Sequence, residues 1–210
     1  MGDPQAEVIS AVDSRWFRHV RREFCPRALE YAGRPITYVE IGVWHGASAM
    51  WVCENILTHP ASRGFGIDPY LPDGKHRKPE VDRVKRAARR RLRHFRNWNW
   101  LYETSRAALT DWQCGTIDLL YLDGSHLASD VLADFVLAWP HLTIGSGIIF
   151  DDLLLCRKKP AAGVPQAITA IMGCFGGMIE PWGEKHKWQY AVKVLSQDQL
   201  CVEADREWSV

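Results

Sequence analysis

The sequence is short of several features that would settle its class at once. Its six cysteines (Cys25, Cys53, Cys114, Cys156, Cys174 and Cys201) include no Cys-x-x-Cys pair. A chain of 210 residues needs no disulfide staples, so the thiols read as reduced. No apolar run approaches the ~18 residues of a membrane span, and Met1-Gly2-Asp3-Pro4-Gln5 lacks the basic start and apolar core of a signal peptide. The expectation is a cytoplasmic protein with no membrane partner. Charge of one sign is also missing: 26 Lys and Arg oppose 25 Asp and Glu, a net charge of +1. That balance argues against an acidic disordered chain and against wholesale polyanion binding. There is no internal repeat, low-complexity tract or dividing linker.

What is present is apolar and aromatic. Hydrophobic residues make up 47% of the chain, enough for a sizeable core, and ten tryptophans are more than one small core holds comfortably. Trp16, Phe17, Val20, Phe24, Ala28 and Leu29 recur at three- and four-residue spacing, predicting an amphipathic helix over 14–31, bent near Pro26. From residue 36 onward strands and helices alternate. Strands are expected at 36–41, 64–68, 98–102, 117–123 and 147–151, with helices at 47–57, 80–95, 105–112, 127–142 and 162–174. Two last strands are expected at 177–180 and 188–195. This alternation predicts an α/β fold of Rossmann-like type: a mostly parallel seven-stranded sheet with helices on both faces. Residues 1–35 read as an N-terminal helical extension and 36–210 as the main domain.

The first strand ends in Glu40-Ile41-Gly42-Val43-Trp44-His45-Gly46-Ala47-Ser48. Gly42 and Gly46 permit a close approach of backbone to a ligand, and the following helix offers free N–H groups. A dinucleotide loop usually reads Gly-x-Gly-x-x-Gly. Here Trp44 stands where the middle glycine would be, and Glu40 would repel a pyrophosphate. An acid at that point suits a ligand carrying an ammonium group, such as the methionine end of S-adenosylmethionine (SAM), reached directly or through water. Asp68 ends the second strand, where an acid accepts hydrogen bonds from ribose hydroxyls.

A third group follows the fourth and fifth strands: Asp123-Gly124-Ser125-His126 and Asp151-Asp152. Neighbouring strands lie ~4.8 Å apart, so these carboxylates can converge on a cation. Oxygen ligands suit Mg²⁺, or Mn²⁺ or Ca²⁺. His126 is placed to act as general base on an acceptor hydroxyl.

In this order the residues resemble the SAM-dependent O-methyltransferases of the macrocin/mycinamicin, sugar-methylating type, from about Tyr38 to Asp152. The resemblance implies a class I SAM-methyltransferase fold and SAM as cofactor. It implies Glu40, Gly42, Gly46, Ser48, Asp68, Ser105 and Asp123 around the cofactor, Asp123, Asp151 and Asp152 as metal ligands, and His126 as the catalytic base. It also implies a small-molecule hydroxyl acceptor, a sugar or natural product. A metal-independent transfer to N or C, or a catalytically idle SAM-binding module, are the alternatives. The sequence departs from the family at Thr143-Ile144-Gly145-Ser146-Gly147, which replaces the usual Pro-Gly-Gly turn.

Residues 75–96 hold eleven of the 26 cations against Glu80 and Asp82 alone. With no nucleic-acid motif beside it, this basic helix reads first as a solvated outer face, and nucleic acid is not an expected partner. Trp182, Trp188 and Tyr190 are expected near the acceptor side, around the loop 183–187. Trp16 and Phe17 read as cover for the cofactor site or as a contact within a homo-oligomer.

Overall fold

Alternate residues along the apolar strands belong to two different cores, as a sheet covered on both faces requires. The structure is a computed structural model that describes residues 22–73, 76–154, 163–184 and 187–197. Its parallel strands are β1 (Thr37–Ile41), β2 (Arg63–Ile67), β3 (Trp98–Leu101), β4 (Ile117–Leu122) and β5 (Leu142–Phe150), followed by β6 (Ile179–Pro181) and β7 (Tyr190–Val194). They form one seven-stranded sheet in the order β3-β2-β1-β4-β5-β7-β6, with β7 antiparallel to both its neighbours. The fold is the Rossmann-like arrangement expected from the alternation.

The helices are α1 (residues 22–28), α2 (Ala47–Asn55), α3 (Lys78–Leu92), α4 (Ser105–Thr110), α5 (Ala128–Ala138) and α6 (Val164–Phe175). Val39, Ile41, Leu120, Leu122, Ile148 and Phe150 face one core, filled by Leu109 of α4, Phe135 of α5 and Ile171 of α6. Tyr38, Leu119, Tyr121 and Ile149 face the other, filled by Phe24 of α1, Val52 of α2, Ile56 just after it, and Leu92 of α3. The two-residue period of the strands therefore assigns each helix trio to its face.

Helix α1 is part of this packing. The Phe24 ring lies 4.7 Å from that of Tyr121. Arg27 donates to the carbonyl of Trp182 at 2.9 Å, and Glu23 accepts from the backbone N–H groups of Trp188 and Gln189. Helical backbone continues through Pro26, where a bend was expected. Trp16 and Phe17 lie outside the described residues.

Element boundaries differ from the sequence reading in ways with local causes. Helix α5 stops at Ala138, and a 3-10 turn, Trp139–His141, takes over at Pro140, which has no N–H to continue the helix. Strand β5 then begins at Leu142, five residues earlier than expected. Its pairing with β4 shifts register between Ile117 and Leu119. There Ser146 bridges the gap: its hydroxyl donates to the Ile117 carbonyl at 2.7 Å and accepts from the Thr143 N–H at 2.9 Å. The residues that replace the Pro-Gly-Gly turn thus extend a strand. Among the described residues no helix is long and apolar enough to cross a membrane.

Candidate active site

The chain runs outward from β1 to β2 and β3, then returns to place β4 on the other side of β1. This reversal opens a crevice beyond the carboxyl ends of β1 and β4, where ligands of open parallel sheets bind. The loop after β1 lines it. Gly42 has φ +87°, and a Cβ there would lie 2.1 Å from the Asp123 carbonyl oxygen. The glycine is what allows the β1 and β4 loops to touch. Gly46, φ +71°, caps α2 and packs on Leu92 and Ala88 of α3.

Trp44 also takes a left-handed backbone, φ +45°, in the place of a middle glycine. Its ring leaves the turn and packs with Tyr70, Val81, Val84 and Ala88, with the His76 ring 4.6 Å away. The ring is therefore drawn towards α3. Acid closes the turn from the side of β2. Asp68 Oδ2 accepts from the N–H groups of Val43 (3.1 Å) and Trp44 (2.9 Å), and Oδ1 from Tyr70 (2.8 Å). These bonds use three of a carboxylate's four lone-pair positions. Burial raises the Asp68 pKa, and the three backbone bonds oppose that rise.

Glu40 is fully buried behind the loop. Ser48 donates to its Oε1 at 2.5 Å and Tyr38 to its Oε2 at 2.8 Å. Burial pushes its carboxyl up to about 8, with those two hydroxyls pulling the other way. Both of its oxygens are thus engaged by protein hydroxyls, one of them that of half-buried Ser48. Ser105 starts α4 and hydrogen-bonds Asp134, a buried acid of α5. Its hydroxyl is engaged with α5, and neighbouring Thr104 caps α4 by accepting from Ala107.

At the far side of the crevice, Asp123 N–H donates to Ile41 and Asp151 N–H to Leu122, so each aspartate extends its strand's ladder by one residue. Asp123, His126 and Asp152 bring one ligand atom each to within 4.8 Å of one another. His126 Nε2 lies 3.2 Å from Asp152 Oδ2. The His126 carbonyl accepts from Gly163 N–H at 2.8 Å, tying this segment to the start of α6. The pKa of Asp123 is raised well above the usual carboxylate range, first by burial and then by Asp151 and Asp152.

Asp151 is outside that triad, although the sequence grouped it with Asp123 and Asp152. Its Oδ2 takes the Tyr121 hydroxyl, and its Oδ1 accepts from Asp152 N–H at 2.7 Å. Burial pushes its carboxyl up to about 7. Tyr38, Tyr121 and Gln189 were not singled out in the sequence. Strand parity could have found two of them: Tyr38 stands two residues before Glu40, and Tyr121 two before Asp123, each on the same face as its acid. Gln189, whose Nε2 lies 3.4 Å from the Tyr121 hydroxyl, had no such signal.

The last strands place the aromatics differently from expectation. Trp182 is in the core, its ring against Tyr31 and its Nε1–H donating to Glu30. Tyr190 reaches Met172 of α6. Trp188 is beside the crevice, its carbonyl accepting from the N–H of Leu153, the residue after Asp152.

A family model described as a methyltransferase domain matches residues 39–153. An uncharacterized protein of Acanthamoeba polyphaga mimivirus is 29% identical over 148 residues, 70% of this chain and 64% of that protein. The chain spans less than two thirds of the length of the curated relatives it matches. The O-methyltransferase TomG of Streptomyces achromogenes, solved in complex with SAM, superposes with a TM-score of 0.63 at 16% identity, covering 93% of this chain and 92% of that one. The N-methyltransferase NodS of Bradyrhizobium japonicum gives a TM-score of 0.57 at 15% identity, covering 84% and 97%. At these identities the likeness establishes the fold, and an O- and an N-methyltransferase share it.

Proposed function

The chain belongs to the methyltransferase-domain family, and from that footing we propose that it is a SAM-dependent methyltransferase acting on a hydroxyl oxygen of a small molecule, assisted by a divalent cation. The observation that carries this reading is the convergence of Asp123, His126 and Asp152 across the crevice from the Gly42 loop. SAM, when bound, supplies an electrophilic methyl group. Residues 36–210 form the transferase unit in this reading, with 1–35 as its helical extension.

The donor set fits a hard cation. Two carboxylates and an imidazole meet where burial, and then repulsion from Asp151 and Asp152, raises the Asp123 pKa, and a positive ion relieves that repulsion. Carboxylate ligands suit Mg²⁺, Mn²⁺ or Ca²⁺. A cation held by Asp123 and Asp152 would lower the pKa of an acceptor hydroxyl. His126 takes the hydroxyl proton on Nδ1, the ring nitrogen that does not face Asp152. Asp152 Oδ2, 3.2 Å from Nε2, holds the proton on that nitrogen, orients the ring and stabilises its charged form. Asp151 braces Asp152 through the latter's N–H. Glu40 acts on the methionine end through Ser48 or water, and the remaining lone-pair position of Asp68 meets the ribose.

One specific observation favours a second reading. His126 and Asp152 are already paired as a base and its orienting acid, and that pair can deprotonate an acceptor without a cation. The deciding experiment measures release of S-adenosylhomocysteine with a panel of hydroxyl acceptors, before and after EDTA and after Mg²⁺ or Mn²⁺ is restored. Activity lost to EDTA and recovered with the ion supports the cation. Activity indifferent to EDTA leaves the His126–Asp152 pair alone. SAM binding by calorimetry without turnover on any acceptor makes the chain a binding module.

A further inference from the structure

Helix α3 carries a stripe of charge that the transfer reaction does not use. Its inner face, Val81, Val84, Ala88 and Leu92, is buried. Arg83, Arg86, Arg89, Arg90 and Arg93 are all exposed on the outer face. Between residues 77 and 96 ten cations face only Glu80 and Asp82, while the whole chain nets +1, so the rest of the molecule carries an excess of acid. Neutralisation within the helix is slight: Lys78 and Asp82 stand 4.0 Å apart, at the limit of an ion pair, with Lys78 exposed and Asp82 partly so. Arg93 donates to the neighbouring His94 ring, not to an acid.

Two other cations of the helix have structural work. Arg91 donates to the His45 carbonyl at 2.7 Å, and the Lys85 ammonium stands 3.8 Å from the centre of the Tyr102 ring. Like charges three and four residues apart on a helix repel each other. This stripe is therefore a cost to the free protein, and an anionic partner removes it. Arginine, which dominates here over lysine, binds phosphate oxygens in bidentate fashion.

The stripe ends beside aromatic rings. Tyr102, at the end of edge strand β3, is 41% exposed. It stacks on Trp100 with centroids 5.5 Å apart and planes 8° apart. Burial raises the Tyr102 phenol above its ordinary range, and the charge of Arg89 opposes that rise. A basic track with an aromatic pair at its side is the combination that holds single strands, arginines on the backbone and a base on Tyr102 in place of the Lys85 ammonium that covers its ring in the free protein. A membrane surface fits less well: charge alone attracts anionic lipid, but the apolar face of α3 is buried in the fold and cannot insert to add to it, and a headgroup makes no use of the rings.

We propose that the outer face of α3, with Tyr102 and Trp100, is a docking surface for single-stranded nucleic acid, separate from the crevice over Asp123. The sequence set this partner aside for want of a motif; the exposure of the stripe and its position beside stacked rings bring it back.

The test is fluorescence anisotropy of a labelled 15-nucleotide RNA of mixed sequence, titrated with the full chain at several salt concentrations. Saturable binding is expected, with log affinity falling linearly in log salt by about 0.7 per phosphate contacted. The combined variant Arg83→Gln, Arg86→Gln, Arg90→Gln, Arg93→Gln should weaken binding at least tenfold and flatten the salt slope. Tyr102→Ala should weaken binding to the RNA but not to heparin, which has no bases. All five side chains are exposed, so circular dichroism and SAM affinity should match the parent chain, and neither readout depends on turnover. The idea is overturned by absence of binding at low salt, by a fourfold variant that binds as the parent does, or by vesicles of anionic lipid binding while RNA does not.

Discussion

Asp152 Oδ2 lies 3.2 Å from His126 Nε2, and it gets there through a left-handed backbone, φ +61°. An L-residue gives up about 1–2 kcal/mol in that conformation, although aspartate and asparagine tolerate it better than most. The turn is held from behind, where Asp151 accepts the Asp152 N–H. The adjacent acids therefore divide the work, one locking the turn and the other reaching the histidine.

Exchanging Asp152 should separate strain from chemistry. Asp152→Asn keeps a residue at home in the left-handed region but removes the charge beside His126. It should unfold within a few degrees of the parent while turnover falls by roughly 10²-fold or more, the scale of general-base catalysis. Asp152→Val adds branching at the Cβ and should cost about 1–3 kcal/mol of stability as well. Thermal unfolding, together with release of S-adenosylhomocysteine, reads both effects. An Asn variant with full activity removes Asp152 from the chemistry.

Gly42→Ala should be far more damaging than Gly46→Ala. At Gly42 the new Cβ would lie 2.1 Å from a backbone oxygen at Asp123, and neither loop can yield without opening the crevice. At Gly46 it meets the end of the Leu92 side chain at 3.2 Å, which can shift by a few tenths of an ångström. Both carry the conformational penalty of a positive φ, about 1–2 kcal/mol. Urea unfolding should show Gly46→Ala destabilised on that scale and Gly42→Ala by several kcal/mol or not folded. Equal losses at the two positions would mean that the close approach of the loops is not what Gly42 provides.

Glu40 gives the fold a pH dependence of definite sign. Its carboxyl is pushed up to about 8 by burial, above the ~4.3 of an unfolded chain. A folded state that holds its proton more tightly gains from that proton below the unfolded value. The gain is lost as pH rises from about 4 to 8, at about 1.4 kcal/mol for each unit between the two pKa values. Glu40→Gln keeps the shape and cannot ionise. Urea unfolding of both proteins from pH 5 to 9 should show the parent losing more stability with rising pH than the variant. Parallel curves would place the Glu40 titration elsewhere.

The fold was legible because its signals repeat. Apolar strands spaced by helices, with an acid at the end of strand after strand, point to one sheet and one crevice without any long-range information. The site was legible only as far as sequence position fixes direction. Asp123 and Asp68 follow their strands immediately, and the ladder settles where they stand. The orientation of Asp151 was not legible, because it depends on a tyrosine from another strand and on the turn at the next residue. Nor was the fate of Trp44, whose ring is drawn towards α3 by a pocket made of Tyr70, Val81, Val84 and Ala88. Ser105 was placed beside the cofactor by its position after β3, and the hydroxyl is engaged by Asp134 of a helix two elements later.

The division of labour between the two halves of the crevice rests on Asp68 and His126. Asp68 closes the glycine loop on β2 by accepting from Val43 and Trp44. Asp68→Ala strands both N–H groups and should cost about 1–3 kcal/mol of stability. It should also weaken SAM binding tenfold or more, because the loop that would receive the nucleoside loses its shape. His126→Ala touches neither the loop nor β2. It should leave SAM affinity within about twofold of the parent and lower turnover by 10²- to 10⁴-fold. Calorimetric titration with SAM gives the first quantity and product release the second. If both variants lost SAM affinity alike, His126 would belong to the cofactor side, and the acceptor would have to be placed elsewhere than over the Asp123, His126 and Asp152 cluster.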